Sequence, residues 1–178
     1  MTTLVDKILA VAEAFDRADV PWAFGGAFAL AYATAEPRGT RDIDVNVFVR
    51  ASAVDVVFNA LPEGVVVGHE SRHEVLTSDQ VRLMWDDTPI DLFFVASDFH
   101  HDVGERCRQV PFAGRSVTIL CAEDLAVFKA LFDRPKDWVD IDAMAESGSL
   151  DRAVASNRLA RIVGDREPRV DRLRTGRS

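Results

Sequence analysis

Cysteine is scarce in this chain. Cys107 and Cys121 are the only two, they lie apart, and neither stands in a CxxC or Cys-His spacing. A zinc site or a disulfide framework is therefore not expected, and two buried free thiols are. Internal repeats and low-complexity tracts are absent, which excludes a solenoid or an array. No long apolar run opens the sequence: Asp6, Lys7, Glu13 and Asp16 interrupt the first helical pattern. Neither a signal peptide nor a membrane span is expected there, and the location expected is cytoplasmic. The histidines His69, His73, His100 and His101 have no HExxH or Cys-His context, so they are read as surface residues. Basic charge is scarce over most of the length, with 13 basic against 25 acidic residues from position 1 to 150. The balance reverses from Asp151 onward, where eight arginines face four acids.

What is present is an ordinary soluble composition of 178 residues, 48% hydrophobic and 28% charged, enough for one domain with a helical part appended. Thr3 and Asp6 give a capping-box start to a helix over 3–18, with Leu4, Ile8, Val11, Ala12 and Phe15 at helical spacing. "VPWAF" reads as a short strand, "AFALAYATA" as a short apolar helix, "EPRGT" as a loop, and Ile43 to Val49 as the next strand. A helix over 52–60 with Val54, Val57 and Phe58 on one side follows. "VRLMW" and "IDLFFV" form a hairpin around "DDTP", "DFHHDVGERC" reads as a helix and "RSVTIL" as a strand. "AEDLAVFKALF" is a helix with acids in its first turn, where the dipole favours them. A further helix from Lys136 to Glu146 closes at Gly148. Trp22, Trp85 and Trp138 are read as core or pocket-rim residues. Strands set between helices predict a small mixed β-sheet flanked by helices, an α/β (α+β) fold. The expected division is a core over 1–121 and a helical C-terminal part over 122–178.

Within "PRGTRDIDVNVFVR" the chemistry concentrates. Side chains alternate along a strand, so Asp42 and Asp44 share one face while Ile43, Val45 and Val47 share the other. Two neighbouring carboxylates repel, and Mg²⁺ between them resolves the repulsion because it takes hard oxygen ligands and leaves room for substrate phosphates. Gly25 and Gly26, ending one strand and opening a helix, offer backbone N–H groups and a positive dipole end to a phosphate. A third acid, Asp91, begins an apolar strand in "PIDLFFV". Asp86 and Asp87 compete for its role, but they occupy a turn, where aspartate needs no function. Three carboxylates can clamp two Mg²⁺ ions around an in-line phosphoryl displacement. Arg38 and Arg41 flank the aspartates, where they would meet substrate phosphates or balance Asp42.

On these residues the chain resembles the DNA polymerase β-like minimal nucleotidyltransferase superfamily. "FGGAFALAYATAEPRGTRDIDVNVFV" is similar to its signature: two glycines, a short helix and loop, Asp-hydrophobic-Asp, and a later acid on a following strand. The 15 residues between Gly26 and Asp42 exceed the family's usual spacing, so the helix or the "EPRGT" loop is extended. "AEDLAVFKALFDRPKDWVDI" resembles a second block found in the AbiEii/MenT-type toxin branch of type IV toxin–antitoxin systems. The resemblance implies that Asp42, Asp44 and Asp91 bind two Mg²⁺ ions and act in catalysis, Asp91 also drawing the proton from the attacking hydroxyl. It implies that Gly25, Gly26, Thr40 and Arg41 bind the nucleotide, that Lys129 neutralises triphosphate charge, and that Asp137, with Asp140, orients Lys129 or the base. Without it, Lys129 is a lysine snorkelling from a packed helix and Asp137 the first-turn acid of its helix.

The function implied is Mg²⁺-dependent transfer of a nucleotide from an NTP, by a toxin of a toxin–antitoxin or phage-defence pair, to a tRNA 3′ end or another cellular acceptor. A cognate antitoxin, acting at the site or by modifying a hydroxyl such as Thr40, is then a partner; a membrane is not. Two alternatives stand beside it: an aminoglycoside- or lincosamide-type antibiotic nucleotidyltransferase, and a degenerate binding module on the same fold. The tail "NRLARIVGDREPRVDRLRTGRS" would suit RNA phosphates, but a solvated, partly disordered terminus is the favoured expectation.

Overall fold

The first helix, α1 (Leu4–Arg17), starts where its signals lie. The Asp6 amide donates to Thr3 Oγ1 at 3.2 Å and the Thr3 amide donates to the Asp6 carboxylate at 3.0 Å, so two amide donors that a bare helix end leaves open are satisfied. Ile8, Val11, Ala12 and Phe15 are buried, as their spacing requires. Ile8, Val11 and Phe15 each contribute about 1.5–3 kcal/mol on full burial. The computed structural model describes residues 2–37 and 39–176. Contacts divide the chain into a unit of Met1–Phe28 with Gly39–Ile119 and a unit of Ala29–Arg38 with Leu120–Ser178.

The first unit is built on a mixed sheet of β1 (Trp22–Phe24), β2 (Ile43–Val47), β3 (Val65–Val66), β4 (Gln80–Trp85), β5 (Thr88–Phe93), β6 (Arg108–Phe112) and β7 (Arg115–Ile119), in the order β3-β4-β5-β2-β1-β7-β6. β2 pairs with β5, and β1 with β7, in parallel; the other pairs are antiparallel. Along β5 the side chains of Thr88, Ile90 and Leu92 are buried while those of Pro89, Asp91 and Phe93 are partly exposed, the period-2 signature of a sheet with one core face. Helix α2 (Gly26–Thr34) follows β1 directly, and the loop from 35 to 42 carries the extra length ahead of β2. Helices α3 (Val54–Ala60), α4 (Ser71–Ser78) and α5 (Asp98–Val103) complete the unit. None of the helices among the described residues is long and apolar enough to cross a membrane.

Several elements escape the sequence pattern. α4 buries only Ser71 and Val75, too few apolar positions to make a period. β6 holds Pro111, which marks against a strand, but it lies at the sheet edge, where a missing N–H costs no ladder bond. Ala113 and Gly114, both at positive φ, turn β6 into β7.

Lys7 settles what Asp86 and Asp87 do. Its side chain is 2% exposed, its Nζ donates to the Trp85 carbonyl (2.8 Å) and Thr88 Oγ1 (3.0 Å), and it pairs with Asp86 at 3.2 Å. The hairpin turn acids thus bind α1 to the β4–β5 turn.

His100 corrects the expectation of four surface histidines. His69, His73 and His101 are exposed, but His100 is 4% exposed, edge-on to Phe48 with ring centroids 5.9 Å apart. Burial pushes its pKa from 6.5 down to about 4, against a hydrogen bond with the Phe94 backbone that favours the charged form. The unfolded chain therefore binds one more proton than the folded one between about pH 6.5 and 4. Stability from this group is complete above pH 6.5 and is lost, to a total of about 3 kcal/mol, as pH falls through that window. Urea midpoints at pH 7 and 4.5 should fall more for the wild type than for His100→Phe; equal falls would remove His100 as the cause.

The second unit contains α6 (Ala122–Phe132), α7 (Pro135–Glu146), α8 (Arg152–Val163) and α9 (Pro168–Thr175). Two helices thus replace the disordered basic arm expected of the tail. Four of the tail's arginines are engaged inside the unit, while Arg161, Arg166 and Arg174 are exposed. Arg158 Nη1 donates to Asp124 at 2.8 Å, Arg152 donates to Asp142 (2.5 Å) and to the Leu173 carbonyl (3.0 Å), Arg169 donates to Glu167 (2.8 Å), and Arg172 stacks over Trp138 at 4.2 Å. Asp124 is fully buried, so it is an ion-pair partner rather than a solvated first-turn acid. Trp22, Trp85 and Trp138 are all core residues. Both cysteines are free, as expected, with Cys121 buried and Cys107 half-buried. Burial, then the charge of Asp124, raises the Cys121 thiol to about 11, which keeps it protonated and unreactive.

Candidate active site

The acids converge because of sheet register. Asp44 on β2 lies directly opposite Asp91 on β5 in the parallel pairing, and Asp91 lies opposite Arg82 on β4 in the antiparallel one. Neighbours across a ladder project to the same face about 4.8 Å apart, so Arg82, Asp91 and Asp44 form one row on the face away from the buried Ile43, Ile90 and Leu83. Asp42 precedes Asp44 by two residues and stands in the bend just ahead of β2. Asn46, two residues on from Asp44 and 5% exposed, continues the face of the row inward.

The double glycine sits against this row. The Gly25 amide donates to the Asp44 carbonyl at 2.9 Å. Gly26 has φ +50°, and a Cβ placed on it would lie 1.8 Å from Asp44 Oδ2. Glycine is therefore required twice over, for a left-handed backbone and for close approach to a carboxylate. The start of α2 is thereby held beside Asp44. Thr40 Oγ1 lies 2.6 Å from Asp42 Oδ1 and 3.1 Å from the Asp42 carbonyl, fixing the first acid of the pair. Arg41 is exposed next to it, and Arg38 lies outside the described residues.

Arg82 is the residue that motif reading passes over. Its Nε and Nη2 donate to Asp91 Oδ1 at 2.7 Å and Oδ2 at 2.6 Å, a two-pronged bond that uses both carboxylate oxygens. Those bonds and the Asp91 charge, with smaller contributions from Asp42 and Asp44, strengthen the guanidinium's hold on its proton. The charges of all three acids are thus felt at the Arg82 guanidinium. The signal was in the sequence: a two-residue turn at 86–87 pairs 85 with 88 and, by counting back, 82 with 91.

Among the described residues no three His, Cys, Asp or Glu side chains are gathered as a metal cage. The donor set nevertheless has the right chemistry, carboxylate oxygens on adjacent strands and one face, beside a helix N-terminus suited to phosphate.

Lys129 and Asp137 belong to the second unit. Lys129 Nζ donates to Asp140 at 2.7 Å and pairs with Asp137 at 3.6 Å; the lysine is 11% exposed and Asp137 is fully buried. It is therefore a paired cation rather than a snorkelling one. Asp137 also accepts from Arg134 Nε (2.6 Å) and its amide (3.3 Å), serving as the first-turn acid of α7. Burial pushes the Asp137 pKa up, but the Arg134 hydrogen bonds and the charges of Lys129 and Arg134 outweigh it and hold the carboxyl below its usual range.

No protein-family model matches the sequence, and no curated protein matches it significantly. Solved structures do resemble it. The crystal structure of ANT(2")-Ia in complex with adenylyl-2"-tobramycin superposes with a TM-score of 0.56 at 15% identity, covering 98% of this chain and 97% of that one. The lincosamide antibiotic adenylyltransferase LnuA, bound to lincomycin, gives 0.54 at 14% identity over 82% of this chain and 98% of its own. An antigenic nucleotidyltransferase-like protein from Paracoccidioides brasiliensis gives 0.50 at 15%, covering 94% and 90%. At such identities the likeness is one of fold: the chain has the nucleotidyltransferase fold.

Proposed function

We propose that the chain transfers a nucleotide from an NTP, with Mg²⁺, to a hydroxyl of a small cationic acceptor of the antibiotic kind. The observation that carries this reading is the row of Asp44 and Asp91 across β2 and β5, with Gly26 pressed against Asp44. Asp42, Asp44 and Asp91 would hold Mg²⁺, which when bound neutralises charge on the phosphates and on the leaving pyrophosphate. Gly25 and Gly26 place the start of α2 for phosphate oxygens, Thr40 keeps Asp42 in its orientation, and Arg41 adds positive charge at the mouth. Asp91 accepts the proton of the acceptor hydroxyl as its oxygen attacks the α-phosphorus. Lys129, paired with Asp140 and Asp137 within its own unit, keeps a nucleotide role only through the resemblance of the second sequence block.

The ranking of acceptors inverts the one drawn from sequence. Residues 1–150 carry 25 acids against 13 basic groups, a field that draws cations and repels polyanions. Four of the arginines that would have met RNA, Arg152, Arg158, Arg169 and Arg172, are engaged within their own unit, which leaves Arg161, Arg166 and Arg174 exposed. The folds that match in solved structures act, in ANT(2")-Ia and LnuA, on antibiotics. The toxin reading keeps one support, the Lys129–Asp140–Asp137 cluster formed by its second sequence block, and with it a tRNA acceptor and an antitoxin.

Incubation of each α-labelled NTP and Mg²⁺ with an aminoglycoside and lincosamide panel, and separately with total tRNA, decides between them. Label on a drug alone is expected; label on tRNA alone would replace the small acceptor by the toxin reading. Folded protein that binds neither nucleotide nor metal by calorimetry would make the chain a non-catalytic module.

Gly26→Ala tests the phosphate end of the site. Its positive φ costs an alanine about 1–2 kcal/mol, and the new methyl must displace the Asp44 carboxylate it would strike. Transfer should fall about 100-fold, the scale of a misplacement near 1 Å. Wild-type rates in a folded Gly26→Ala protein would remove the glycine from the site.

A further inference from the structure

Asp91 is held differently from the other two acids. Asp42 is fixed by Thr40, two residues away, and Asp44 sits against Gly26. Asp91, whose side chain is 15% exposed, is gripped through both oxygens by Arg82, whose long side chain is 61% exposed and has solvent to move into. A divalent cation needs the same oxygens, and a guanidinium at hydrogen-bond distance repels it. Arginine also makes equally good forked bonds to phosphate.

We propose that Arg82 is a positioning residue that competes with the metal: it closes Asp91 while the nucleotide site is empty, and leaves when a triphosphate offers its guanidinium another anion. The inference rests on the nucleotidyltransferase reading. It makes metal binding at Asp91 dependent on nucleotide, so that a divalent cation is gathered by all three acids only when there is a substrate to act on. By linkage, metal and triphosphate must then strengthen each other's binding, and the coupling must run through Arg82.

Mn²⁺ is the probe, its free and bound forms counted by electron paramagnetic resonance, with full-length wild type, Arg82→Ala, Arg82→Met and Arg82→Lys. Without nucleotide, Arg82→Ala and Arg82→Met should bind Mn²⁺ about tenfold more tightly than wild type, a usual size for coupled sites. Arg82→Lys should fall between, since an ammonium does not span both oxygens. A non-hydrolysable triphosphate analogue should tighten Mn²⁺ binding in the wild type by a larger factor than in Arg82→Ala. Equal Mn²⁺ affinity in all four proteins, without and with the analogue, would overturn the inference, provided that Asp44→Asn weakens binding and so leaves the site itself in place. Mn²⁺ binding that is absent from every protein even with the analogue would sink the nucleotidyltransferase reading instead, and this inference with it.

Discussion

Asp44→Asn is expected to lower nucleotide transfer on the order of 10³-fold, the scale on which losing one preorganised charge-stabilising group acts, while the protein stays folded. Asparagine keeps the shape of aspartate, and shape matters here because Gly26 is packed against the carboxylate. What it loses is the charge. Asp44 lies opposite Asp91 and two residues from Asp42, so the substitution relieves repulsion, and thermal stability should be unchanged or slightly raised, as at other sites where function is held at the expense of stability. Mn²⁺ affinity should fall in parallel with activity. Transfer within tenfold of wild type, in a variant with the same melting temperature, would remove Asp44 from the metal site.

The largest loss of stability is expected in the second unit, from Arg158→Ala. Asp124 is fully buried at the start of α6 and accepts from Arg158 Nη1 at 2.8 Å and from the Cys121 thiol at 3.2 Å. Taking away the guanidinium removes the charge that balances a buried carboxylate, which costs about 3–5 kcal/mol, far more than the net worth of the pair. The melting temperature should drop by roughly 10 °C for a chain of this size. The double variant Asp124→Leu with Arg158→Met should recover most of the loss, because it removes the charge as well as its partner. A drop of under a degree in Arg158→Ala would mean that α8 is not held by this bond.

Both variants probe residues that the sequence revealed to different degrees. Asp44 was legible: a DxD at the head of an apolar strand admits one face for its acids, and a double glycine before a helix suggests what they face. Thr3 and Asp6 likewise announced α1, and the "DDTP" break announced the β4–β5 hairpin. Arg158 was not legible as a structural residue. A run of arginines in a polar tail looks the same whether it is solvated or docked, since what separates the two cases is a buried Asp124 some thirty residues earlier. His100 was missed for the same reason. Its flanks carry Asp98, His101 and Asp102, and the Phe48 ring that packs edge-on to it lies about fifty residues earlier in the chain.

The sequence by itself determined the local terms: the cap of α1, the alternation along the strands, and the existence of the β4–β5 hairpin, whose turn it drew over 86–89 where the structure turns at 86–87 and so sets Arg82 against Asp91. These depend on interactions over a few residues, and their periods are written in the chain. Only the tertiary structure decided that β5 lies beside β2, which sets Asp91, the acid the sequence favoured, opposite Asp44, that Lys7 claims the turn, and that four arginines of the basic tail are engaged within their own unit. Most of these pairings join residues about 30 to 80 positions apart, and no local pattern encodes them, because the free energy that selects them comes from burying surfaces that meet only once the chain has folded.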